Sequence, residues 1–202
     1  MDEFSTKEKI MDVAIKLFSD RGYDRVSMRD IAGMVGIKAS SIYNHFSSKR
    51  EILKGLYDFY AREFMLIAPK LETALHDLET EPLRDVLTKR TTYYWSPLIQ
   101  DRMDRIILIA SQRICLDQDS EIFIREHFFE PLMRVWISLL TRGIEMGKVA
   151  PVDAGSFAKM ITYYAFSAAE LNRTSIKVTY EEWINGLDML FSLLEPKKIE
   201  KQ

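Results

Sequence analysis

Apolar residues recur every three to four positions along nearly the whole chain, and this spacing predicts helices throughout. The first predicted helix carries its apolar face on Ile10, Ala14, Leu17 and Phe18, and Gly22 is placed to end it. Only six prolines and eight glycines interrupt the 202 residues. No strand-like alternation stands out. The pattern therefore predicts an all-α protein.

Several helix starts are marked by capping boxes, in which a hydroxyl residue precedes an acidic residue by three positions. These boxes pair Ser5 with Glu8, Ser27 with Asp30, Ser48 with Glu51, and Thr179 with Glu182. The box at Ser27 opens a two-turn helix that Gly36 ends, and a second short helix is predicted over 39–46. Ile42 and Phe46 give this second helix its buried face. Two short helices joined by a tight glycine turn form a helix-turn-helix pattern.

Beyond Ser48 the predicted helices are longer, and the first of them runs until Pro69. The others are predicted over 70–79, 82–95, 98–115, 119–146, 153–174 and 180–194. Pro131 lies inside one of these segments, so we expect a kink or a break there. The composition changes near residue 50, which predicts one domain over 1–50 and another over 51–202, with the helix after Ser48 shared by both.

The charge of the chain is unevenly distributed. The net charge is −2, but residues 21–54 contain seven basic and three acidic side chains. That segment therefore carries +4, and the remainder carries −6. A basic patch on an acidic body attracts a polyanion locally, whereas the alternative is an ordinary solvated helix face.

Motifs typical of enzymes are missing from the sequence. It contains no HExxH, no GxSxG, no paired Cys and His ligands and no phosphate-binding glycine loop. His127 lies among phenylalanines, where a histidine is more often a core or pocket residue than a base or a metal ligand. We therefore expect neither an enzyme nor a bound cofactor or metal.

The cysteine content and the terminus bear on location. Cys115 is the only cysteine, which excludes an internal disulfide, and we expect it to be a small buried apolar residue. The N-terminal residues lack the apolar region of a secretion signal, and the run 106–110 is too short to span a bilayer. The expectation is a cytoplasmic protein without a membrane partner.

The helix predicted over 39–46 presents polar and small side chains away from its buried face. The positions left outward or on its flanks are Ala39, Ser40, Ser41, Tyr43, Asn44 and His45. Small residues allow a helix N-terminus to approach base edges in a major groove, and tyrosine and histidine can donate to phosphate oxygens. The alternative is a helical bundle whose outward polar residues meet only water.

An ordered series of residues runs from Ile10 to Leu53. Its members are Ala14, Leu17, Phe18, Gly22, Tyr23, Ser27, Met28, Arg29, Ile31, Ala32, Gly36, Ile37, Ser41, Ile42, Tyr43, His45, Phe46, Lys49, Glu51 and Leu53. This series resembles the DNA-binding domain of the TetR family of bacterial transcription regulators. The resemblance covers about a quarter of the chain. The rest resembles the family only in being helical and of similar length.

The resemblance implies roles for individual residues by matched position. Arg29 is similar to a base-reading or phosphate-binding arginine of the family, and Lys49 to its phosphate-binding lysine. Among the other implied DNA-contacting positions, Ala39, Ser40 and Asn44 vary in the family and set the operator sequence, and Ser27, Ser41, Tyr43 and His45 complete the set.

Lys38 departs from the family pattern, which places a serine or threonine cap at this position. A lysine cannot accept hydrogen bonds from the free amides of a helix start. Either Ser40 or water replaces the cap, or the helix is partly frayed until DNA orders it. We expect Lys38 to be an additional phosphate contact.

The resemblance also implies that the larger domain binds a small hydrophobic effector. Aromatic and polar-tipped residues suited to such a pocket are Tyr60, Phe64, Tyr93, Tyr94, Trp95, Phe123, His127, Trp136 and Tyr163. For each of them the alternative is a plain core position.

In the family the last two long helices pair with those of a second copy in a four-helix bundle. In this chain they would lie over 153–174 and 180–194. The residues expected at this homodimer interface are Phe157, Ile161, Ala165, Ala168, Ala169, Trp183, Leu187 and Leu194.

Together these features predict a homodimeric transcription regulator, a repressor that leaves a pseudo-palindromic operator when the effector binds. The helix over 49–68 would act as the switch between the two domains. One alternative is a dimeric DNA-binding protein without an effector, controlled by a partner protein, as in nucleoid or division-associated proteins. Another is an enzyme or carrier that merely contains a helix pair.

Overall fold

The fold was analysed in a computed structural model, which describes residues 5–67, 70–94, 97–171, 176 and 178–195. Its helices are α1 (Thr6–Arg21), α2 (Met28–Val35), α3 (Lys49–Ile67), α4 (Leu71–Thr80), α5 (Leu83–Tyr94), α6 (Pro97–Ser111), α7 (Gln118–Ile124), α8 (Glu130–Glu145), α9 (Ala154–Leu171) and α10 (Tyr180–Ser192). Single turns of 3-10 helix occur at Tyr23–Arg25 and Ser41–Asn44, and a π-helix at Arg125–Phe129. The all-α prediction is confirmed.

The chain divides into two compact units. The first unit comprises Met1–Ala68 and Gln100–Arg125, and the second comprises Pro69–Ile99 and Glu126–Gln202. Residues 1–50 thus share their unit with α3 and with a segment from the middle of the chain. This division is not the one drawn at residue 50, and the assignment of separate functions to 1–50 and 51–202 stays a prediction.

The predicted capping boxes begin three of the helices. Around Ser27, the serine Oγ accepts a hydrogen bond from the Asp30 amide at 3.2 Å, and the Asp30 carboxylate accepts one from the Ser27 amide at 2.8 Å. Equivalent reciprocal boxes begin α1 and α10. The box at Ser48 forms only in part, because the Glu51 carboxylate accepts from the amide of Ser47 at 2.5 Å.

Glycine ends α2 and turns the chain toward the next element. Gly36 has φ +83°, and its amide and that of Ile37 donate back to carbonyls of α2, at Gly33 and Ala32. These two bonds form a Schellman motif, whose left-handed residue is most easily a glycine. The predicted tight turn of the helix-turn-helix pattern is therefore built by Gly36.

The second unit packs around α8, which contacts α4 and α9. Its buried core includes Leu78, Leu87, Leu139, Leu140, Ala158, Ile161 and Leu187. The helix predicted over 119–146 is interrupted by the π-helix just before Pro131, as the proline led us to expect. Proline has no N–H and its ring displaces the carbonyl four residues earlier, so a regular α-helical ladder cannot continue through it.

Cys115 contradicts the sequence prediction, because its side chain is exposed. The helix predicted over 98–115 ends at Ser111, and residues 112–116 form a turn. The apolar spacing that suggested burial therefore does not apply to Cys115. Among the described residues, no helix is long and apolar enough to cross a bilayer, and no cluster of His, Cys, Asp and Glu could hold a metal ion.

Candidate nucleic-acid interface

The reading segment, which we define as residues 38–46, follows α2 and packs against it. Ile42 and Phe46 are buried, at 0% and 2% exposure, as predicted. The side chains that face solvent are Lys38, Ala39, Ser40, Tyr43 and Asn44, and those of Ser41 and His45 are half-buried. Tyr43 is 55% exposed, which is unusual for a large aromatic residue. The segment therefore presents the side chains that the sequence assigned to DNA.

The reading segment is less regular than the helix predicted over 39–46. Only Ser41–Asn44 are helical, in a single 3-10 turn, and no side chain caps it. The Ser41 amide instead donates to the Lys38 carbonyl at 2.9 Å. Ser40 therefore does not replace the missing cap. A lysine at this position provides no acceptor for free amides, which accounts for the short helix.

Lys49 begins α3 and is half-buried against the turn that precedes α2. Its Nζ donates to the carbonyls of Tyr23 and Val26, both at 2.8 Å, and lies 4.2 Å from the centre of the Tyr23 ring. Burial lowers the pKa of this ammonium group. Two of its three protons are therefore used within the protein, and the predicted phosphate contact would have to use the third.

Two basic side chains of the segment 21–54, those of Arg50 and Lys54, pair with the same carboxylate. Arg50 Nε lies 2.7 Å from Asp119 Oδ2, and Lys54 Nζ lies 3.5 Å from Asp119 Oδ1. The hydrogen bond from Arg50 lowers the pKa of Asp119. This neutralisation could not be predicted from the sequence, because Asp119 lies on α7, far along the chain.

The other basic residues in this part of the chain have no ion pair within the described residues. They are Arg21, Arg25, Arg29 and Lys38, and all four side chains are exposed. An unpaired exposed cation is free to approach a phosphate. Ser27, by contrast, is committed to the cap of α2 through a 2.6 Å bond from its Oγ to Asp30.

Three residues of the predicted effector pocket lie in the first unit and contact one another. The Tyr60 ring stacks on Phe64 at 5.7 Å and meets Phe123 edge-on at 5.1 Å. Tyr57, which the sequence analysis left out, stacks on Phe123 at 4.2 Å and shares a buried 2.8 Å hydrogen bond with Ser120. Burial raises the pKa of the Tyr57 hydroxyl. These residues form an aromatic cluster along α3.

The remaining pocket residues belong to the second unit or lie outside the described residues. Trp136 is buried beside Phe191, His127 is half-buried on the π-helix, and Tyr163 is 55% exposed. The side chains of Tyr93, Tyr94 and Trp95 lie outside the described residues. The assembly of all these residues into one pocket stays a prediction.

A cleft of about 720 Å³ opens within the second unit. It is bordered by the turn between α4 and α5, the turn after α8, and the end of α10. Its apolar lining comes from Leu83, Val149, Phe191 and Leu194. None of the predicted pocket residues whose side chains the structure describes lines this cleft.

Most of the residues predicted for the dimer interface lie in the core of their own protomer. Those with exposure of 8% or less are Phe157, Ile161, Ala168, Trp183, Leu187 and Leu194. Ala165 is half-buried, and the side chain of Ala169 lies outside the described residues. Buried side chains offer little area to a second copy. The exposed apolar residues in this part of the chain include Met160, Tyr163, Leu171 and Met189, and Leu193 just after α10. The interface itself stays a prediction.

The model of bacterial regulatory proteins of the tetR family matches residues 10–56. These residues extend from α1 to the first turns of α3 and include every position that the sequence assigned to DNA. Residues 10–56 therefore carry the sequence pattern of this family. The resemblance seen in the sequence is thus confirmed.

Two curated relatives are similar to part of this chain. The uncharacterised HTH-type transcriptional regulator YerO of Bacillus subtilis strain 168 is 28% identical over 127 residues, which are 63% of this chain and 42% of that protein. The negative transcriptional regulator IcaR of the Staphylococcus aureus biofilm operon is 54% identical over 46 residues, which are 23% of this chain and 25% of that protein. The matched parts therefore span less than half the length of either relative.

Solved structures resemble nearly the whole chain in fold. A regulatory protein from Rhodococcus RHA1 superposes with a TM-score of 0.73 at 15% identity, covering 97% of this chain and 100% of its own. AibR, solved in complex with isovaleryl coenzyme A and operator DNA, gives a TM-score of 0.70 at 18% identity, covering 95% and 100%. At these identities the likeness shows the fold alone.

Proposed function

We propose that this protein is a homodimeric transcription regulator that binds a pseudo-palindromic DNA operator through α2 and the reading segment. The single observation that carries the proposal is the exposure of Tyr43, with Ala39, Ser40 and Asn44, on a segment whose Ile42 and Phe46 are buried. Exposed polar and small side chains on a rigidly anchored turn are suited to contact base edges and phosphates.

The distribution of paired and unpaired cations supports DNA as the partner. Arg29 and Lys38 are exposed and have no ion pair within the described residues, whereas Arg50 and Lys54 share Asp119. Each phosphate neutralised by a protein cation releases counterions, so it contributes to the salt dependence of binding. Cations already paired with a carboxylate contribute less. We therefore assign Arg29 and Lys38 to phosphate contact, and Arg50 and Lys54 to the ion pairs with Asp119.

A matched pair of double variants tests this assignment. Arg29→Gln with Lys38→Gln and Arg50→Gln with Lys54→Gln each remove two positive charges from the same region. We measure affinity for a duplex selected by the wild-type protein from a randomised pool, over a series of salt concentrations. The first variant should reduce the slope of log affinity against log salt by about 2, since each phosphate contact contributes about 0.9.

The second variant should change the slope by less than about half as much. Equal loss of slope in the two double variants would contradict the assignment of Arg29 and Lys38. An affinity of the wild-type protein that does not vary with salt would contradict phosphate contact altogether.

We further propose that DNA binding is repressive and is released by a small hydrophobic effector. The similarity of 46 residues of this chain to IcaR, a negative transcriptional regulator, supports repression. The aromatic cluster of Tyr57, Tyr60, Phe64 and Phe123 on α3 and α7 supports an apolar ligand beside the helix that begins at Lys49. Isovaleryl coenzyme A in the structure of AibR makes acyl compounds the class to test first.

Isovaleryl coenzyme A added to the protein–DNA complex tests the acyl class. Release of the duplex, with a coupling of about 1–3 kcal/mol, is the expected result. Unchanged DNA affinity together with an unchanged melting temperature of the protein would contradict an acyl effector. If a specific captured protein, rather than the acyl compound, altered DNA affinity, control by a partner protein would be favoured.

A further inference from the structure

Arg113, in the turn after α6, contacts Asp24 and Tyr23 before α2 and Asp117 at the start of α7. Its Nε lies 2.7 Å from Asp117 Oδ2, and its Nη1 lies 3.1 Å from both carboxylate oxygens of Asp24. Its guanidinium carbon lies 4.1 Å from the centre of the Tyr23 ring. The side chain is only 13% exposed. Arg113 is therefore fixed by two carboxylates and an aromatic face.

Tyr23 connects this arginine to the residues that position α2. Its ring packs on Phe18 of α1 at 5.0 Å, and Lys49 Nζ lies over it at 4.2 Å. The Lys49 ammonium also donates to the carbonyls of Tyr23 and Val26, one residue before the cap of α2. The turn Tyr23–Arg25 is thus held by a cation from α3 and by Arg113.

Arg113 is itself oriented by the start of α7. Asp117 caps α7 by accepting hydrogen bonds from the amide and the hydroxyl of Ser120, both at 2.9 Å. The Ser120 hydroxyl in turn bonds the buried Tyr57 hydroxyl of α3. Because one carboxylate caps the helix and holds the guanidinium, the position of α7 and the orientation of Arg113 are fixed together.

We propose that Arg113 is a positioning residue for DNA binding, which acts through Tyr23 and Asp24 to fix the turn from which α2 begins. The orientation of α2 and of the reading segment that packs on it then depends on a residue more than sixty positions away in the sequence. This inference rests on the proposed DNA-binding function. Arg113 lies outside the segment matched by the family model, residues 10–56.

Arg105, eight residues earlier on α6, provides a matched control. Its Nη1 bonds Ser19 Oγ and Asp20 Oδ1 at the end of α1, both at 2.8 Å, and its Nε bonds Asp101 at 2.9 Å. It thus makes a comparable set of contacts to α1 without touching Tyr23. Loss of Arg105 also removes polar contacts with the first helix, but it removes none with the turn before α2.

The experiment compares Arg113→Gln and Arg105→Gln in the wild-type and Tyr23→Leu backgrounds. Affinity for the selected duplex is measured per folded protein, with folding followed separately by urea unfolding. Arg113→Gln should weaken binding about tenfold in the wild-type background and less than about twofold beside Tyr23→Leu, within the range of coupling between residues in contact. Arg105→Gln should have the same small effect in both backgrounds.

Hydrogen exchange of the amides of residues 22–30 gives a second measurement that needs neither DNA nor Tyr23→Leu. Arg113→Gln should accelerate exchange in this segment more than Arg105→Gln does. Arg113→Lys should give an intermediate result, since lysine keeps the charge but cannot bond two carboxylates in a planar fork.

The outcomes separate the two claims. Wild-type protein that selects and binds no duplex would overturn the proposed function and this inference with it. Wild-type protein that binds DNA, with Arg113→Gln no weaker than Arg105→Gln and equal exchange at residues 22–30, would overturn only the positioning role.

Discussion

Some side chains predicted to contact DNA bond to the protein itself, whereas others are exposed to solvent. Lys49 and Tyr43 both resemble DNA-contacting residues of the family, yet Lys49 bonds two carbonyls and Tyr43 is 55% exposed. A residue's match to a family position therefore does not tell whether it contacts DNA directly or supports the residues that do. The two roles have different consequences when each side chain is removed.

We expect Lys49→Met to lower the free energy of unfolding by about 1–2 kcal/mol, because the carbonyls of Tyr23 and Val26 lose a charged donor. Tyr43→Ala should weaken DNA binding but change the free energy of unfolding by less than about 0.5 kcal/mol, as is usual for an exposed side chain. Urea unfolding and duplex affinity of each variant provide the measurements. Equal stability of the two variants would contradict the supporting role of Lys49.

We expect the ion pair of Asp119 with Arg50 to make the stability of the protein depend on pH in the acidic range. The hydrogen bond from Arg50 lowers the pKa of Asp119 below its unfolded value of about 3.9. A lowered folded pKa contributes stability above the unfolded pKa, and this contribution is lost as the pH falls through the folded pKa. The melting temperatures of wild type and Asp119→Asn should thus differ near neutral pH and approach each other as the pH falls below the unfolded pKa and through the folded pKa. A difference that stays constant throughout acid titration would exclude this ion pair as its source.

At the scale of helices, local signals in the sequence predicted most of the fold. The boxes at Ser5, Ser27 and Thr179 begin helices because hydroxyl and carboxylate satisfy amides within one turn. Pro131 interrupts its helix for an equally local reason. The short reading segment and the early end of α6 at Ser111 were not predicted. The helical spacing of apolar residues continues through the reading segment and beyond Ser111. That spacing does not show that a cap is missing or that the chain turns.

The candidate site was predicted only in part, because many of its contacts join residues that are far apart in the sequence. The exposed positions of the reading segment follow from the helical spacing of Ile42 and Phe46. The contacts of Lys49 with Tyr23, of Arg50 with Asp119 and of Arg113 with Asp24 join residues far apart in the chain. Only tertiary packing within the first unit creates them. Asp117 caps α7 and also holds Arg113, and neither role was predicted from the sequence.

Two glycines inside helices should respond oppositely to the same substitution. A Cβ on Gly143 of α8 would lie 2.5 Å from Val149 Cγ2, whereas on Gly55 of α3 its nearest neighbour would be Phe46 Cε1 at 3.4 Å. Gly143→Ala should therefore destabilise the protein by about 1–3 kcal/mol through overpacking. Gly55→Ala should be neutral or stabilise by up to about 1 kcal/mol, the helix propensity gain. The melting temperatures of the two variants test this prediction. If both substitutions raised the melting temperature, the close packing of Val149 against Gly143 would be contradicted.

At the scale of the whole molecule, the proposal requires two copies that hold two reading segments at a fixed spacing. The exposed apolar residues Met160 and Tyr163 are three apart on α9, and Met189 and Leu193 are four apart at the end of α10. Side chains at these spacings share one helix face. These exposed faces, rather than the buried residues predicted from the sequence, are the surface that we propose for the second copy.

Met189→Glu with Leu193→Glu should produce folded monomers, because two charges would be placed in the proposed interface without disturbing the core. Leu116→Glu is the control, since Leu116 is equally exposed, at 67%, but belongs to the first unit. Sedimentation velocity and circular dichroism are the measurements. A double variant that sediments as a folded dimer would place the interface elsewhere.

The most direct test of the central claim is selection of DNA by the wild-type protein from a pool of randomised duplexes. If the reading segments of two protomers contact DNA, the selected sequences should converge on a pseudo-palindrome. Its half-sites should lie on one face of the duplex, about 34–36 Å apart or a multiple of that distance. Tyr43→Ala protein should enrich the same sequences more weakly. A wild-type protein that enriches no sequence, or only single half-sites without symmetry, would contradict the account of a dimeric operator-binding regulator.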